Sequence, residues 1–138
     1  MTERTLTIFK PDTVGAGHSG ALLARLEEEG FRVIGLKRMR LTPEQARAFY
    51  AVHRERPFFE GLVRFMTEGP VVAAALEREN AVAHLRATMG ATDSKKAEPG
   101  TLRQLYGTDI ERNAIHGSDS PENAAREIAF FFSEAELV

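Results

Sequence analysis

The sequence predicts an α+β fold of ferredoxin-like type, a βαββαβ arrangement in which a four-stranded antiparallel sheet is covered by helices. Strand-like and helix-like segments follow one another as β-α-β, then a helical insertion, then β-α-β and a C-terminal helix. The strands of the first half alternate apolar and polar residues, which indicates a sheet with one face covered by helices. No linker or repeat interrupts the chain, so residues 1–138 are predicted to form a single domain.

The first three elements follow from hydrophobic periodicity. Residues 4–10 (RTLTIFK) alternate and are rich in Thr, Leu, Ile and Phe, which is typical of a strand. A helix over 19–30 is predicted from leucines at helical spacing and from the glycine at its end. Residues 31–41 alternate again and predict the second strand.

The middle of the chain contains the helical insertion and the third strand. Thr42 and Pro43 mark a helix start, which Gln45 completes as a capping box. Residues 57–69 predict a short helix, and 70–77 (PVVAAALE) a buried strand. One face of the first of these helices is predicted to carry Ala46, Phe49, Tyr50 and His53.

The last third begins with a helix over 80–90 that ends at a glycine. Residues 91–110 show no clear periodicity, and a stretch of that length in a compact domain is usually functional. A short strand is predicted near 112–116. The last helix starts at Ser120 and Pro121, and its predicted inward residues are Ala124, Ala125, Ile128 and Phe132.

Composition and charge exclude several classes of protein. The chain has a net charge of −2 and no cysteine, so it has no disulfide framework, no thiolate nucleophile and no general attraction to nucleic acid. The N-terminus lacks the apolar segment of a signal peptide, and the longest clean apolar run, 71–76, is too short to cross a bilayer. We therefore expect a cytoplasmic protein that requires neither nucleic acid nor membrane.

A literal G-x-G-x-x-G occurs at 15–20, between a strand and a helix. In a dinucleotide-binding fold the first glycine ends the strand, whereas five residues intervene here. The second strand also ends in Arg38 and Arg40, with no acidic residue to hold a ribose diol. We therefore interpret these glycines as a flexible loop that enters a helix.

His116 lies where residue chemistry favours anion binding. Gly117 and Ser118 allow close backbone approach, and the helix that starts at Ser120 offers free N–H groups and a favourable dipole. Glu127, about two turns further, could reach a ring nitrogen and fix the tautomer. A neutral imidazole held beside an anion site is a nucleophile for phosphorus. The four histidines show no metal-ligand spacing, which predicts no protein-built metal site.

Several segments between Glu3 and Phe132 resemble the nucleoside diphosphate kinase family. They are ERTLTIFKPDTV, ERPFFEGLVRFMTEGPVVA, MGAT, PGTLR and, most specifically, RNAIHGSDSPENAAREIAFFF. The resemblance implies that the chain moves the terminal phosphate of a nucleoside triphosphate, typically ATP, onto a histidine and then onto a nucleoside diphosphate. It also implies ping-pong kinetics and little selectivity for the base.

The resemblance assigns roles to individual residues. His116 would accept the phosphate through Nδ1, with Glu127 and Ser120 as supports, and Asn113 and Lys10 would bind the ribose hydroxyls. Each phosphate-site residue also has an ordinary explanation as a helix end, turn or core residue, but the complete set favours the functional interpretation. The residues that match the phosphate site of the family are Lys10, Tyr50, Arg86, Thr92 and Arg103.

Phe58 and Ile110 match the family's base clamp, and Leu62 would line the same cleft. Stacking without hydrogen bonds to base edges accepts any base. Mg²⁺ would arrive on the nucleotide phosphates, with Asp119 at most a water-mediated contact. His53 either touches the phosphates or belongs to the core or an interface.

The chain departs from the family at Thr13, Ser94 and Glu111, where Gly, Pro and Gly are usual. It also ends soon after Phe132, without the longer tail that some relatives use at subunit contacts, so the expected homo-oligomer is a hexamer first and a tetramer second. Two alternatives remain open at this point. One is a non-catalytic nucleotide sensor or interaction protein descended from the kinase, and the more distant one is a dinucleotide oxidoreductase.

Overall fold

The computed structural model describes residues 2–138, and a four-stranded antiparallel sheet forms its centre. Spatial order in the sheet is β2-β3-β1-β4, and each neighbouring pair is antiparallel. The predicted α+β, ferredoxin-like fold is thereby confirmed. The strands are β1 (Thr2–Phe9), β2 (Arg32–Met39), β3 (Val71–Glu79) and β4 (Ile115–Gly117).

The helices are α1 (Pro11–Gly15), α2 (Ser19–Glu28), α3 (Pro43–Phe49), α4 (Phe59–Met66), α5 (Ala81–Met89), α6 (Leu102–Tyr106) and α7 (Pro121–Phe131). Single 3-10 turns occur at Ala51–His53, Ser94–Lys96 and Glu134–Glu136. Sequence periodicity missed α1 and α6, because a helix of five residues is too short to show a repeat of 3.6.

The predicted helix starts are confirmed by their hydrogen bonds. Thr42 Oγ1 accepts from Gln45 N at 3.1 Å, and the Gln45 side chain accepts from Thr42 N at 2.9 Å, which completes the capping box. Ser120 Oγ accepts from Asn123 N at 3.1 Å at the start of α7. In the G-x-G-x-x-G segment only Gly17 has a positive φ, of 78°, so it forms a tight link from α1 to α2.

Helices cover both faces of the sheet, so the prediction of one covered face is wrong. Alternate residues of β3 enter two different cores, with Val71, Ala73 and Ala75 on one side and Val72, Ala74 and Leu76 on the other. The first core packs against α3, α4 and α7, and the second against α2, α5 and α6. Because β1 and β3 are central strands, they bury both of their faces, which explains the continuous apolar run of β3.

One predicted inward residue of α7 is also wrong, because Ala125 is exposed. The buried stripe is Ala124, Ile128 and Phe131, spaced four and three residues apart. Phe132 is buried as predicted, but it lies in extended conformation just after the helix. No helix within residues 2–138 combines the length and apolarity needed to span a bilayer.

β4 presents the functional region at the edge of the sheet. It pairs with the end of β1, where His116 lies opposite Ile8. Just before β4, Ala114 adopts a φ of +75°, and Ile115 N donates to Asn113 O at 2.9 Å across it, which is the geometry of a γ-turn. Strain of this kind is found where surrounding contacts hold a site in place.

Candidate active site

His116 lies at the inner end of a cleft of about 490 Å³. Its ring packs edge-on against Phe49 and Tyr50, with centroids 5.4 and 6.0 Å away. On the other side, its Nε2 lies 2.8 Å from Oε1 of Glu127 on α7. The short strand and α7 together fix the orientation of the imidazole.

The hydrogen bond to Glu127 assigns the tautomer of His116. Burial lowers the pKa of His116, and the Glu127 carboxylate opposes this shift without cancelling it. Burial raises the pKa of Glu127, but the His116 contact, the Ser118 hydrogen bond and the Arg126 charge together outweigh it, and the pKa is lowered overall. The pair is therefore a neutral imidazole whose Nε2–H donates to a carboxylate, which leaves Nδ1 with a free lone pair.

The hydroxyl that supports Glu127 belongs to Ser118, and sequence reasoning assigned this role to Ser120 instead. Ser118 is fully buried, and its Oγ donates to Oε1 of Glu127 at 2.8 Å. Ser120 caps α7 and does not line the cleft. The alternation of an extended chain places His116 and Ser118 on the same side, towards α7. That spacing of two residues was the signal available in the sequence.

Lys10 provides a buried cation near His116. Its Nζ donates to Oδ1 of Asn113 at 2.7 Å. Burial, followed by the charge of Arg103, lowers the pKa of Lys10 to about 7. A charge that is costly when the cleft is empty favours the arrival of an anion.

Arg103 is also buried, and its guanidinium is tied to the backbone around the site. It donates to the carbonyl oxygens of Asn113 at 3.3 Å, Gly90 at 3.2 Å and Ile115 at 2.8 Å. Burial and the charge of Arg86 lower the pKa of Arg103 to about 10, so it stays charged at neutral pH. Arg103 thus ties the end of α5 to Asn113 and β4, and it adds positive charge to the cleft.

Asn113 connects three parts of the cleft wall. Its Nδ2 donates to the carbonyl oxygens of Thr92 at 2.9 Å and Ile110 at 3.2 Å, while its Oδ1 accepts from Lys10. These contacts hold residues 91–110, which show no clear periodicity in the sequence, against the end of β1. Arg86 on α5 and Thr92 line the same wall and are exposed to solvent.

Tyr50 follows α3 and is buried beside His116. Burial, and then the Glu127 charge, raises the pKa of its hydroxyl, so the group remains a protonated donor. Within residues 2–138 this buried hydroxyl has no hydrogen-bond partner. A buried donor without a partner is costly, and a ligand in the cleft can satisfy it.

The outer end of the cleft is apolar. Phe58 is 51% exposed and Ile110 is 65% exposed, and Leu62 lines the space with them. The His53 ring lies 5.4 Å from the Phe58 ring, at this outer end. Exposed apolar side chains gathered in a cleft mark a ligand surface for a flat, apolar group.

Two carboxylates also line the cleft, those of Asp119 and Glu111. Asn123 Nδ2 donates to Oδ1 of Asp119 at 2.6 Å, and this bond is the main reason that the pKa of Asp119 is lowered. Within residues 2–138 no group of three or more His, Cys, Asp or Glu side chains is arranged to hold a metal ion.

The cleft brings together every site residue predicted from the sequence except Ser120. A neutral histidine with a free ring nitrogen, converging cations and an apolar slot together suit a phosphorylated molecule that carries a flat ring system. The fold and the site therefore define a phosphotransferase that acts on nucleotides.

Known proteins give the same result. A family model described as nucleoside diphosphate kinase matches residues 3–137. The nucleoside diphosphate kinase of Acidiphilium cryptum is 57% identical over 137 residues, which are 99% of this chain and 98% of that protein. The Aquifex aeolicus nucleoside diphosphate kinase structure matches with a TM-score of 0.98 at 52% identity, with 100% of both chains covered. That of Halobacterium salinarum, in complex with CDP, gives 0.96 at 46% identity, covering 100% of this chain and 92% of that one.

The chain belongs to the nucleoside diphosphate kinase family. It is an enzyme that transfers the terminal phosphate of a nucleoside triphosphate to a nucleoside diphosphate, by a ping-pong mechanism through a phosphohistidine and with little selectivity for the base. The alternatives of a non-catalytic sensor and of a dinucleotide oxidoreductase are therefore set aside.

Proposed function

We propose that His116 is the residue that carries the phosphate. The observation that supports this most directly is the 2.8 Å contact between its Nε2 and Glu127, which leaves Nδ1 as the nucleophile. Nδ1 forms a bond to the γ-phosphorus, while the bond from that phosphorus to the bridging oxygen of the β-phosphate breaks. The nucleoside diphosphate leaves, and a second diphosphate attacks the phosphohistidine in the reverse sense.

Glu127 and the cleft cations stabilise the charges that arise during transfer. As Nδ1 bonds to phosphorus, the imidazole becomes cationic, and the Glu127 carboxylate at Nε2 stabilises that charge. Lys10, Arg86 and Arg103 face the phosphate oxygens, and the unpartnered Tyr50 hydroxyl donates to one of them. Thr92 at the same wall completes the set of donors.

The nucleoside occupies the rest of the cleft. The base lies in the slot between Phe58 and Ile110, with Leu62 beneath it. Lys10 Nζ and Asn113 Oδ1 are 2.7 Å apart, and a ribose hydroxyl can accept from the first and donate to the second. Contacts of this kind do not read the base edge, which agrees with broad nucleotide use.

Mg²⁺ is the proposed cofactor and comes with the nucleotide. Glu127 is engaged by His116 and Ser118, and the Asp119 carboxylate, whose pKa is lowered, also lines the cleft. This arrangement fits a metal held mainly by phosphate oxygens and water. There the ion would neutralise charge on the phosphates. Asp119 would contact it through water.

The proposed assembly is a homo-oligomer in the cytoplasm, a hexamer before a tetramer. An exposed apolar residue on the edge strand β2, Leu36 at 51%, supports contact between copies. The absence of cysteine suits a reducing compartment. Sedimentation equilibrium distinguishes six subunits from four.

The test of the phosphate carrier uses ATP labelled at the γ-phosphate. We expect the protein to form an acid-labile phosphoenzyme that any nucleoside diphosphate discharges, whereas His116→Ala takes up no label. His84→Ala is the matched control, since His84 lies outside the cleft and contacts Glu29. Label on folded His116→Ala would show that another residue carries the phosphate.

A further inference from the structure

Glu111 is an acidic residue that lines the cleft next to the proposed base slot. We infer that its carboxylate accepts hydrogen bonds from donor groups of the base and so makes kcat/KM differ between nucleotides. Guanine should be favoured most, and uracil or thymine least. This inference rests on the proposed placement of the base between Phe58 and Ile110. It predicts that all nucleoside diphosphates remain substrates but differ in kcat/KM.

The Glu111 carboxylate lies against the face of α4 that forms the slot. A Cβ placed at Gly61 would lie 3.0 Å from Glu111 Oε2, so the carboxylate occupies the space that a side chain would need. Phe58 lies one helical turn before Gly61, and Phe58, Leu62 and Glu111 all line the cleft. The carboxylate therefore lies beside α4, at the edge of the base slot.

The loop that carries Glu111 is held in place before any ligand binds. Asp109 Oδ1 accepts from the backbone N–H groups of Glu111 at 2.9 Å and Arg112 at 2.8 Å. The Arg112 side chain reaches back to the end of α4, where it lies 4.9 Å from the centre of the Phe65 ring and donates to Glu68, just beyond the helix, at 2.6 Å. A fixed loop reduces the entropy lost when Glu111 contacts a ligand.

The Glu111 side chain is exposed, and its carboxylate has free acceptor capacity. Within residues 2–138 it makes no hydrogen bond and no ion pair, although the cation of Arg64 is nearby. Its charge is one of those that raise the pKa of Lys10, which is deeper in the cleft. Both oxygens can therefore accept from a molecule in the slot.

The chemistry of the base edges sets the order of preference. An ionised carboxylate only accepts, and guanine presents two adjacent donors, N1–H and the exocyclic amino group. Adenine and cytosine present one amino group beside an acceptor, and a carboxylate can accept from such a group. Uracil and thymine present N3–H between two carbonyl oxygens, which repel the carboxylate.

The test compares GDP with IDP, because the two diphosphates differ only in the exocyclic amino group of the base. We expect kcat/KM for discharge of the phosphoenzyme to be about three- to tenfold higher for GDP, as a partly exposed charged hydrogen bond would give. Glu111→Ala should bring the ratio close to one, and Glu111→Gln should lie between. Glu28→Gln, which removes an exposed carboxylate outside the cleft, should keep the ratio of the unmodified protein.

Equal ratios in the unmodified protein and Glu111→Ala would overturn the inference, as would a ratio of one in the unmodified protein. Equilibrium binding of GDP and IDP by calorimetry gives the same ratio if a variant is too slow for kinetics. If the protein forms no phosphoenzyme, or one that survives His116→Ala, the proposed function fails instead. The two failures are therefore distinguishable.

Discussion

Glu127 is the residue by which α7 acts on His116, and its negative charge matters more than its shape. Both His116 Nε2 and Ser118 Oγ contact the same oxygen, Oε1, at 2.8 Å. The amide oxygen of Glu127→Gln can therefore accept both bonds, so this variant removes charge with little change in geometry. The carboxylate would no longer stabilise the cationic ring that forms during transfer.

We expect Glu127→Gln to slow single-turnover phosphorylation by about one to two orders of magnitude, from a charged hydrogen bond worth roughly 1.5–3 kcal/mol. The His116 pKa should fall further, because the carboxylate raises it, so the acid limb of the rate profile should move to lower pH. Rapid-quench kinetics across pH measures both effects. Glu122→Gln, exposed on the same helix, is the control, and an unchanged rate in Glu127→Gln would remove Glu127 from the mechanism.

Lys10 links nucleotide binding to pH. Its pKa is lowered to about 7, so at pH 8 the empty site holds mostly the neutral amine. A bound phosphate favours the ammonium and raises this pKa again, so binding takes up a proton and affinity falls as pH rises above 7. The nucleotide itself contributes little at pH 8, because phosphate has a second pKa of about 6.

Calorimetry in buffers of different ionisation enthalpy measures this uptake directly. We expect about one proton per nucleotide at pH 8 and close to none for Lys10→Met, which keeps the length of the side chain without an ionisable group. Uptake that persists in Lys10→Met would assign the proton to another residue.

At the scale of elements, α1 secures the strained turn that leads into β4. Ala114 O accepts from Lys10 N at 2.9 Å and from Thr13 Oγ1 at 2.8 Å, and Ala114 N donates to Asp12 Oδ2 at 3.0 Å. Thr13 is buried. In this chain a side-chain hydroxyl therefore adds a bond at the γ-turn two residues before His116.

We expect Thr13→Val to lower the free energy of unfolding by about 1–2 kcal/mol, because it leaves the shape but removes the donor to a buried carbonyl. Thr13→Ser keeps the hydroxyl and should recover most of that loss. Urea unfolding of the three proteins gives the comparison. Equal stability of the Val and Ser variants would show that Thr13 acts by packing alone.

How far the sequence predicts each element depends on its length and pairing. The long helices and strands were predicted from hydrophobic periodicity and from capping residues. Both hydrogen bonds of the predicted capping box at Thr42 are present. α6 was missed because five residues show no period, although Thr101 caps it by accepting from Gln104 N. The second covered face was missed because the apolar and polar residues of β2 alternate, and β2 is an edge strand. The central strands β1 and β3 bury both faces.

The site was predictable where a local motif carries it and not where distant segments meet. His116 and Glu127 lie eleven residues apart around a helix start, so their contact could be expected. The bonds from Arg103 to the carbonyl oxygens of Gly90 and Ile115 depend on tertiary packing that no local pattern shows. Ser118 was missed because the supporting role was assigned to Ser120, the serine at the start of α7, while Ser118 is marked only by its spacing of two residues from His116.

At the scale of the whole molecule, several positively charged side chains are gathered in the cleft. The net charge is −2, yet Lys10, Arg86 and Arg103 converge on one cleft. A local positive field inside an acidic protein attracts phosphate groups without a general affinity for polyanions. The overall charge therefore gives no general attraction to polyanions, and the attraction for phosphate is local to the cleft.

The two cores on opposite faces of the sheet share the central strands β1 and β3. Loss of either core would expose one face of both strands, so neither core has an independent framework. We therefore propose that residues 1–138 unfold as one cooperative unit, in keeping with a single domain. The two tyrosines of the chain provide separate probes, since Tyr50 belongs to one core and Tyr106 packs against the other.

Incorporation of 3-fluorotyrosine gives one ¹⁹F signal for each probe, and Tyr106→Phe assigns them. We expect both native signals to disappear at the same urea concentration and with the same slope, because both report the loss of one sheet. Protein concentration must be held constant across the series, since contact between copies would stabilise the folded chain. Separate midpoints for Tyr50 and Tyr106 at constant concentration would show that the faces unfold independently, and the chain would then contain two folding units joined by one sheet.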